Sequence, residues 1–144
     1  MSSILSIRFI ELSQDAMDVY GMIHARFILS PRGLALMYQK YISGQFGVCP
    51  RVLCDKHLLL PVGISDESKT SRVKVYCPRC QEAYIPRNKE VNLDGSFFGT
   101  SFPHIFLAHY QSMIQEKEPE KYVPKLFGFK ICGKTGSRCI KKET

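Results

Sequence analysis

No stretch of this chain approaches the roughly 20 consecutive apolar residues that a membrane-spanning helix requires, so a soluble protein without a membrane partner is expected. The N-terminus, Met1 to Phe9, lacks a basic segment followed by a long apolar run. No secretory leader is therefore expected, and the cysteines should stay reduced. Also missing are a Gly-x-Ser-x-Gly elbow, a phosphate-binding loop and a His-Glu-x-x-His helix. His24, His57, His104 and His109 are scattered over helix and loop positions and read as surface or hydrogen-bonded core residues. The expectation is a protein that is not an enzyme. There is no internal repeat and no low-complexity segment.

What the chain does contain is positive charge and an ordered set of cysteines. Its 144 residues suffice for one core or two small subdomains. They are 44% hydrophobic and carry a formal net charge of +7, with a pI near 9.2. That excess suits an acidic partner, whether nucleic acid, an acidic protein or a phosphorylated one. Apart from Arg72-Val-Lys74 and Lys141-Lys142 the basic residues are dispersed, and a solvated surface accounts for them equally well.

Four of the six cysteines form two close pairs, Cys49-x4-Cys54 and Cys77-x2-Cys80, with twenty-two residues between them. Each pair can close a tight chelate, and the intervening chain is long enough to fold back as a hairpin unit. This is what a tetrahedral zinc ion needs. In Tyr76-Cys77-Pro78-Arg79-Cys80 the short loop can aim backbone N–H groups at the thiolates and offset their charge. Disulfides and ordinary buried thiols are the rival readings, and reducing conditions favour metal over bridges. Four thiolates leave no open position, so such a zinc is structural, with binding energy on the order of 10 kcal/mol or more that counts as folding energy. Cys132 and Cys139 have no second pair to join and read as free thiols.

The rest of the chain divides around this centre. Leu12, Ala16, Val19, Tyr20, Ile23 and Phe27 recur at helical spacing, with Ser13 and Asp15 placed to favour a helix start. Ser30-Pro31 supplies an N-cap and a first-turn proline for a second helix through Leu34, Met37, Tyr38, Tyr41 and Ile42, ending near Gly44. The two should form an antiparallel hairpin. From Phe46 to about Arg87 short β-rich pieces follow, at 51–53, 58–60 and 73–76, separated by turn formers. Phe102-Pro103-His104 leads into a short apolar helix to Tyr110. A charged linker, 115–121, precedes an extended segment, 123–131. In that segment Phe127 and Phe129 flank Gly128, so their rings should share a face. They either fill this chain's own core or anchor it on another chain. The expected fold is α+β: a helical subdomain (1–45), a zinc ribbon with a following helix (46–110), a linker and partner-binding strand (111–131), and a flexible tail (132–144).

Five blocks carry a family resemblance. They are Tyr20-Gly-Met-Ile-His-Ala-Arg-Phe-Ile-Leu29, Phe46-Gly-Val-Cys-Pro-Arg-Val-Leu-Cys54, Val73-Lys-Val-Tyr-Cys-Pro-Arg-Cys80, Asp94-Gly-Ser-Phe-Phe-Gly-Thr-Ser-Phe-Pro-His104 and Val123-Pro-Lys-Leu-Phe-Gly-Phe-Lys-Ile131. In this order they strongly resemble the regulatory (beta) subunits of casein kinase II, from about Leu12 to Ile131. The resemblance implies a non-catalytic subunit that dimerises through its zinc ribbon and carries two catalytic (alpha) subunits of a Ser/Thr kinase, in the cytoplasm and nucleus. It places the zinc ligands at Cys49, Cys54, Cys77 and Cys80. It places apolar dimer contacts at Pro50, Val52, Ile64 and Ala83. The kinase-gripping residues fall at Phe127 and Phe129, with Ile105 behind them. The resemblance also implies that the assembled kinase acts on protein substrates.

There are departures from the family pattern. The acidic N-terminal loop of the family has no counterpart in this sequence, so its polyamine-binding role is not expected here. Ser2 and Ser3 precede Ile4 and Leu5 rather than acidic residues, which makes autophosphorylation there unexpected. Phe127 stands where the family has Tyr; if that hydroxyl made a hydrogen bond, about 1 kcal/mol is lost. Two other classes stay open on residue chemistry alone. One is a nucleic-acid-binding ribbon, for which Tyr76 and Tyr84 near Arg79 would supply stacking surfaces. The other is a dithiol oxidoreductase using Cys77 and Cys80, for which no thioredoxin-like βαβ context is visible.

Overall fold

The computed structural model describes residues 2–87, 92–114 and 119–131. Cys132, Cys139, the tail and the 115–118 part of the charged linker lie outside these residues. Helix α1 spans Ser2–Phe27 without interruption, so the start expected near Leu12 is not a boundary. Ser13 and Asp15 lie inside it, and the Ser13 hydroxyl donates back to the Ile10 carbonyl (2.7 Å) instead of capping. His24 and Arg26 occupy its last turn, where positive charge suits the helix dipole.

A tight turn, 28–30, leads into α2 (Pro31–Ile42) as the Ser-Pro pair predicts. Ser30 Oγ accepts from the Gly33 N–H at 3.1 Å, and Pro31 opens the first turn. Gly33 is required here, because a Cβ would collide with the Phe27 carbonyl. The helix stops at Ser43, with Gly44 in the left-handed region (φ 70°).

Strands β1 (Leu60–Val62), β2 (Lys74–Cys77) and β3 (Glu82–Tyr84) form one antiparallel sheet in that order. Leu60 pairs with Tyr76, and Tyr76 with Ala83. The strand expected at 51–53 is not one: Val52–Cys54 is a 3₁₀ turn. Here the need to bring Cys49 and Cys54 to one point overrides the β-propensity of Val and Leu. Leu58 makes only an isolated bridge to Val48, and the strand begins two residues later than expected. Helix α3 (Phe102–His109) then packs on β1.

The main core joins α2, β1 and α3 through Leu34, Met37, Tyr41, Leu60, Phe102 and Phe106, with Ile28 and Leu107. Phe106 lies at its middle, 5.5 Å from the Tyr41 ring and 5.0 Å from Tyr110, while Tyr38 stacks on Tyr110 at 4.6 Å. Helix α1 joins the fold by its other side. Gly21 admits the Phe97 ring, His24 Nδ1 meets the Phe97 carbonyl at 2.7 Å, and Asp18 pairs with Lys69 at 3.0 Å. The Gly95–Phe97 turn that receives it is capped by Asp94, which accepts from the N–H groups of Ser96 and Lys69. The predicted stripe Leu12, Val19, Tyr20, Ile23 and Phe27 is exposed. No described helix is long and apolar enough to cross a membrane.

The expected extended segment 123–131 instead doubles back. Strands β4 (Lys125–Leu126) and β5 (Phe129–Lys130) pair antiparallel, Leu126 opposite Phe129. Phe127 (φ 50°) and Gly128 (φ 87°) are both left-handed and form the two-residue turn between them. Phe127 is therefore a turn residue, and the shared-face reading of Phe127 and Phe129 along one strand does not hold.

Candidate metal centre

Each cysteine pair sits on a knuckle built by the backbone. In the first, the Cys49 N–H donates to the His57 carbonyl (2.8 Å), and the 3₁₀ turn swings the chain back to Cys54. Asp55 and Lys56, both left-handed (φ 50° and 52°), complete the reversal, so the His57 N–H donates to the Cys54 carbonyl at 3.1 Å. In the second, β2 ends on Cys77, and left-handed Gln81 (φ 57°) donates its N–H to the Cys77 carbonyl at 2.9 Å before β3 begins.

The knuckles face each other across the four sulfurs. Cys49 Sγ lies 3.8 Å from Cys80 Sγ and Cys54 Sγ lies 3.6 Å from Cys77 Sγ, with all four within 4.8 Å of one another. These separations are far beyond an S–S bond of about 2.05 Å, which removes the disulfide reading. They match the edge of about 3.8 Å of a tetrahedron whose zinc–sulfur bonds are about 2.3 Å. Cys49, Cys54 and Cys77 are buried and Cys80 is half-buried. The donor set fits a soft divalent cation, and four sulfurs close its shell against water or substrate.

The surroundings set how readily each thiol ionises. Burial pushes the Cys54 thiol up to about 11 and raises Cys77 further still, against the pull of the Arg79 and Cys80 backbone N–H groups aimed at the Cys77 sulfur. Cys80 goes the other way. Burial opposes its ionisation, but the Tyr84 hydroxyl (3.2 Å) and the Glu82 N–H hold its pKa below the ordinary thiol value. Without a cation the Cys54 and Cys77 thiols are protonated at neutral pH. Metal binding must release those protons, and acid must weaken it.

Two supports of this centre were not read from the sequence as such. Arg79 Nη1 donates to Asp55 Oδ2 (2.6 Å) and to the Cys54 carbonyl (3.3 Å), clamping the second knuckle to the first. Tyr84 orients Cys80 from β3, a strand too short to show any alternation. Their signal was only their place, inside the Cys-Pro-Arg-Cys string and seven residues after Cys77. A further link runs to the main core, where the Tyr41 hydroxyl lies 3.4 Å from His57 Nε2. Burial and then Arg79 lower the His57 pKa, which keeps the ring neutral and able to accept from Tyr41.

The remaining predicted residues are on the surface. Pro50, Ile64 and Ala83 are exposed, and Val52 is 91% accessible. Phe127 and Phe129 are 92% and 79% accessible on the hairpin, so they do not fill this chain's own core. Ile105 is exposed on α3. Tyr76 and Tyr84 are half-buried, Tyr84 tied to Cys80 and Tyr76 packed on the main core, which removes them as free stacking platforms.

Comparison with known sequences agrees with this architecture. The family profile described as "Casein kinase II regulatory subunit" matches residues 6–130. The chain belongs to the casein kinase II regulatory subunit family. It is 48% identical over 122 residues to casein kinase II subunit beta' of Drosophila melanogaster, covering 84% of this chain and 56% of the relative. It is 47% identical over 121 residues to casein kinase II subunit beta of Dictyostelium discoideum, covering 83% of this chain and 45% of the relative. The suppressor-of-stellate-like protein of Drosophila melanogaster is 50% identical over 113 residues, which cover 78% of this chain and 52% of that protein. The chain thus spans about half the length of the curated relatives it matches. Within the family match lie all four cysteines, both knuckles, the main core and the hairpin.

Proposed function

We propose that this chain is a non-catalytic scaffold and modulator of a Ser/Thr protein kinase of the casein kinase II type, holding one structural Zn²⁺. Two copies pair through the ribbon, with Pro50, Val52, Ile64 and Ala83 as apolar contacts. Each copy docks one catalytic alpha subunit through Phe127 and Phe129, with Ile105 contributing nearby, and the assembly acts on protein substrates in the cytoplasm and nucleus. Docking favours the active arrangement of the kinase by binding that arrangement more tightly, without chemistry by the scaffold itself.

The observation that carries this reading is the pairing of a closed four-sulfur site with two nearly fully exposed phenylalanines in a chain of this family. A closed shell serves rigidity rather than turnover, and bare aromatic rings are the anchors that dominate protein interfaces. The hairpin presents them differently from a strand. Phe127 stands at the turn corner and Phe129 opposite Leu126, which suits two separate pockets.

Replacing Phe127 and Phe129 together with Ala is expected to cost about 2 kcal/mol of kinase affinity per anchor while the dimer survives. Calorimetry with a casein-kinase-II-type catalytic subunit reads the first quantity and native mass measurement the second. A two-plus-two assembly with one zinc per scaffold chain is the expected mass. Kinase binding unchanged by the double substitution contradicts the docking assignment.

A further inference from the structure

A small cavity of about 140 Å³ opens beside the second knuckle, lined by Arg51, Arg79, Cys80, Gln81, Pro119 and Lys121. It has two walls. The metal ribbon forms one, and the other is the stretch with buried Pro119 that leads to the β4–β5 hairpin. Three of its six lining residues are cations, and among the described residues only Asp55 pairs with any of them.

Arg79 has lost most of its water without filling its hydrogen-bonding capacity. Its side chain is 11% accessible, Nη1 is engaged by Asp55 and the Cys54 carbonyl, and Nε is buried with no partner among the described residues. The guanidinium carries more donors than these partners use. Asp55 offsets the charge on one side, but a buried donor left without an acceptor is costly, and an anion beside it would supply one. The space suits one compact oxyanion and is far smaller than a drug-sized ligand pocket. Arginine favours phosphate and carboxylate because its fork matches two oxygens at once, and Lys121 adds a point charge from the opposite wall.

We propose that this cavity is a phosphate-monoester site that accepts a phosphorylated side chain of a protein partner, and that the bound group fastens the root of the hairpin arm to the metal knuckle. A single walled cavity admits one phosphoryl group at the end of a side chain. A nucleic-acid strand needs instead a charged groove with stacking rings along it. This site goes beyond the kinase-docking reading and stands without it.

The test uses the zinc-loaded full chain at constant ionic strength, titrated by calorimetry with inorganic phosphate, a phosphoserine peptide, its unphosphorylated twin and single-stranded DNA. Saturable binding of phosphate and the phosphopeptide, weakened about tenfold by Arg51→Gln and by Lys121→Gln with metal content unchanged, is the expected result. Absence of saturable phosphate binding, or equal affinity in both variants, overturns the site. Tighter binding of DNA than of the phosphopeptide overturns the protein-partner assignment. Kinase binding is measured on the same samples: its failure with phosphate binding intact defeats the docking reading alone, and the converse result defeats this site alone.

Discussion

The two cores of this molecule solve the same problem with different materials. The helix–sheet core buries Leu, Ile, Met and four aromatic-centred contacts around Phe106, and its apolar surface is sufficient reason for it to fold. The ribbon core buries Cys49, Cys54, Cys77, Leu59 and Val75, so three of its five buried residues are thiols. Too little hydrocarbon remains there to hold three short strands and two knuckles containing left-handed Asp55, Lys56 and Gln81. The four sulfurs are placed to hold a cation, whose bonds would replace the missing apolar contact. A metal held there would serve the folding of one half of the molecule and reach the other only indirectly, through Tyr41 and His57.

The largest expected effect comes from removing the metal-binding capacity of the four sulfurs. Binding worth on the order of 10 kcal/mol is at stake, and Cys77→Ser is expected to abolish zinc retention and with it dimerisation, while the helices keep their far-ultraviolet signal. Mass spectrometry reads the metal and light scattering the dimer. Next in size is a substitution that attacks the other core: Phe106→Ala should lower stability by about 3–5 kcal/mol in thermal or denaturant unfolding, with one zinc per folded chain retained. Metal loss in step with that destabilisation shows that the cores are one unit.

The smallest expected effect concerns the turn that receives α1. Two backbone donors hold the Asp94 carboxyl below its ordinary value despite the burial that opposes ionisation. A depressed carboxylate contributes stability that is present above its unfolded pKa of about 3.9 and is lost as pH falls through the lower folded value. Asp94→Ala should cost about 1 kcal/mol at neutral pH, and the gap to the parent chain should close on acidification. A gap independent of pH assigns the effect to packing instead of charge.

Much of this was legible in the sequence where a residue type has one physical use. Two cysteine pairs in reach of each other, Ser30-Pro31 at a helix start and Phe102-Pro103 before an apolar turn each specify local geometry by chemistry. Legibility failed where long-range demands outweighed local preference. Arg51-Val-Leu53 has strand composition, but two sulfurs that must meet impose a 3₁₀ turn. Phe127-Gly128 was hidden in an apolar string that looks extended, although a glycine after a bulky residue also permits a two-residue hairpin turn. The spacing of the α1 stripe does specify a helix. Its direction could not be read, because periodicity reports a face and not what covers it. Arg79 and Tyr84 brace the cysteine site from positions that only the folded knuckles bring near the sulfurs.

Native-state hydrogen exchange with and without a zinc chelator tests most directly the claim that one core is built by metal and the other is not. Chelation is predicted to erase the protection of amides in β2 and β3, at Val75 and Tyr84, while those of Met37 and Phe106 keep protection of the same order. Protection of the β2–β3 amides that survives complete removal of zinc would contradict the account.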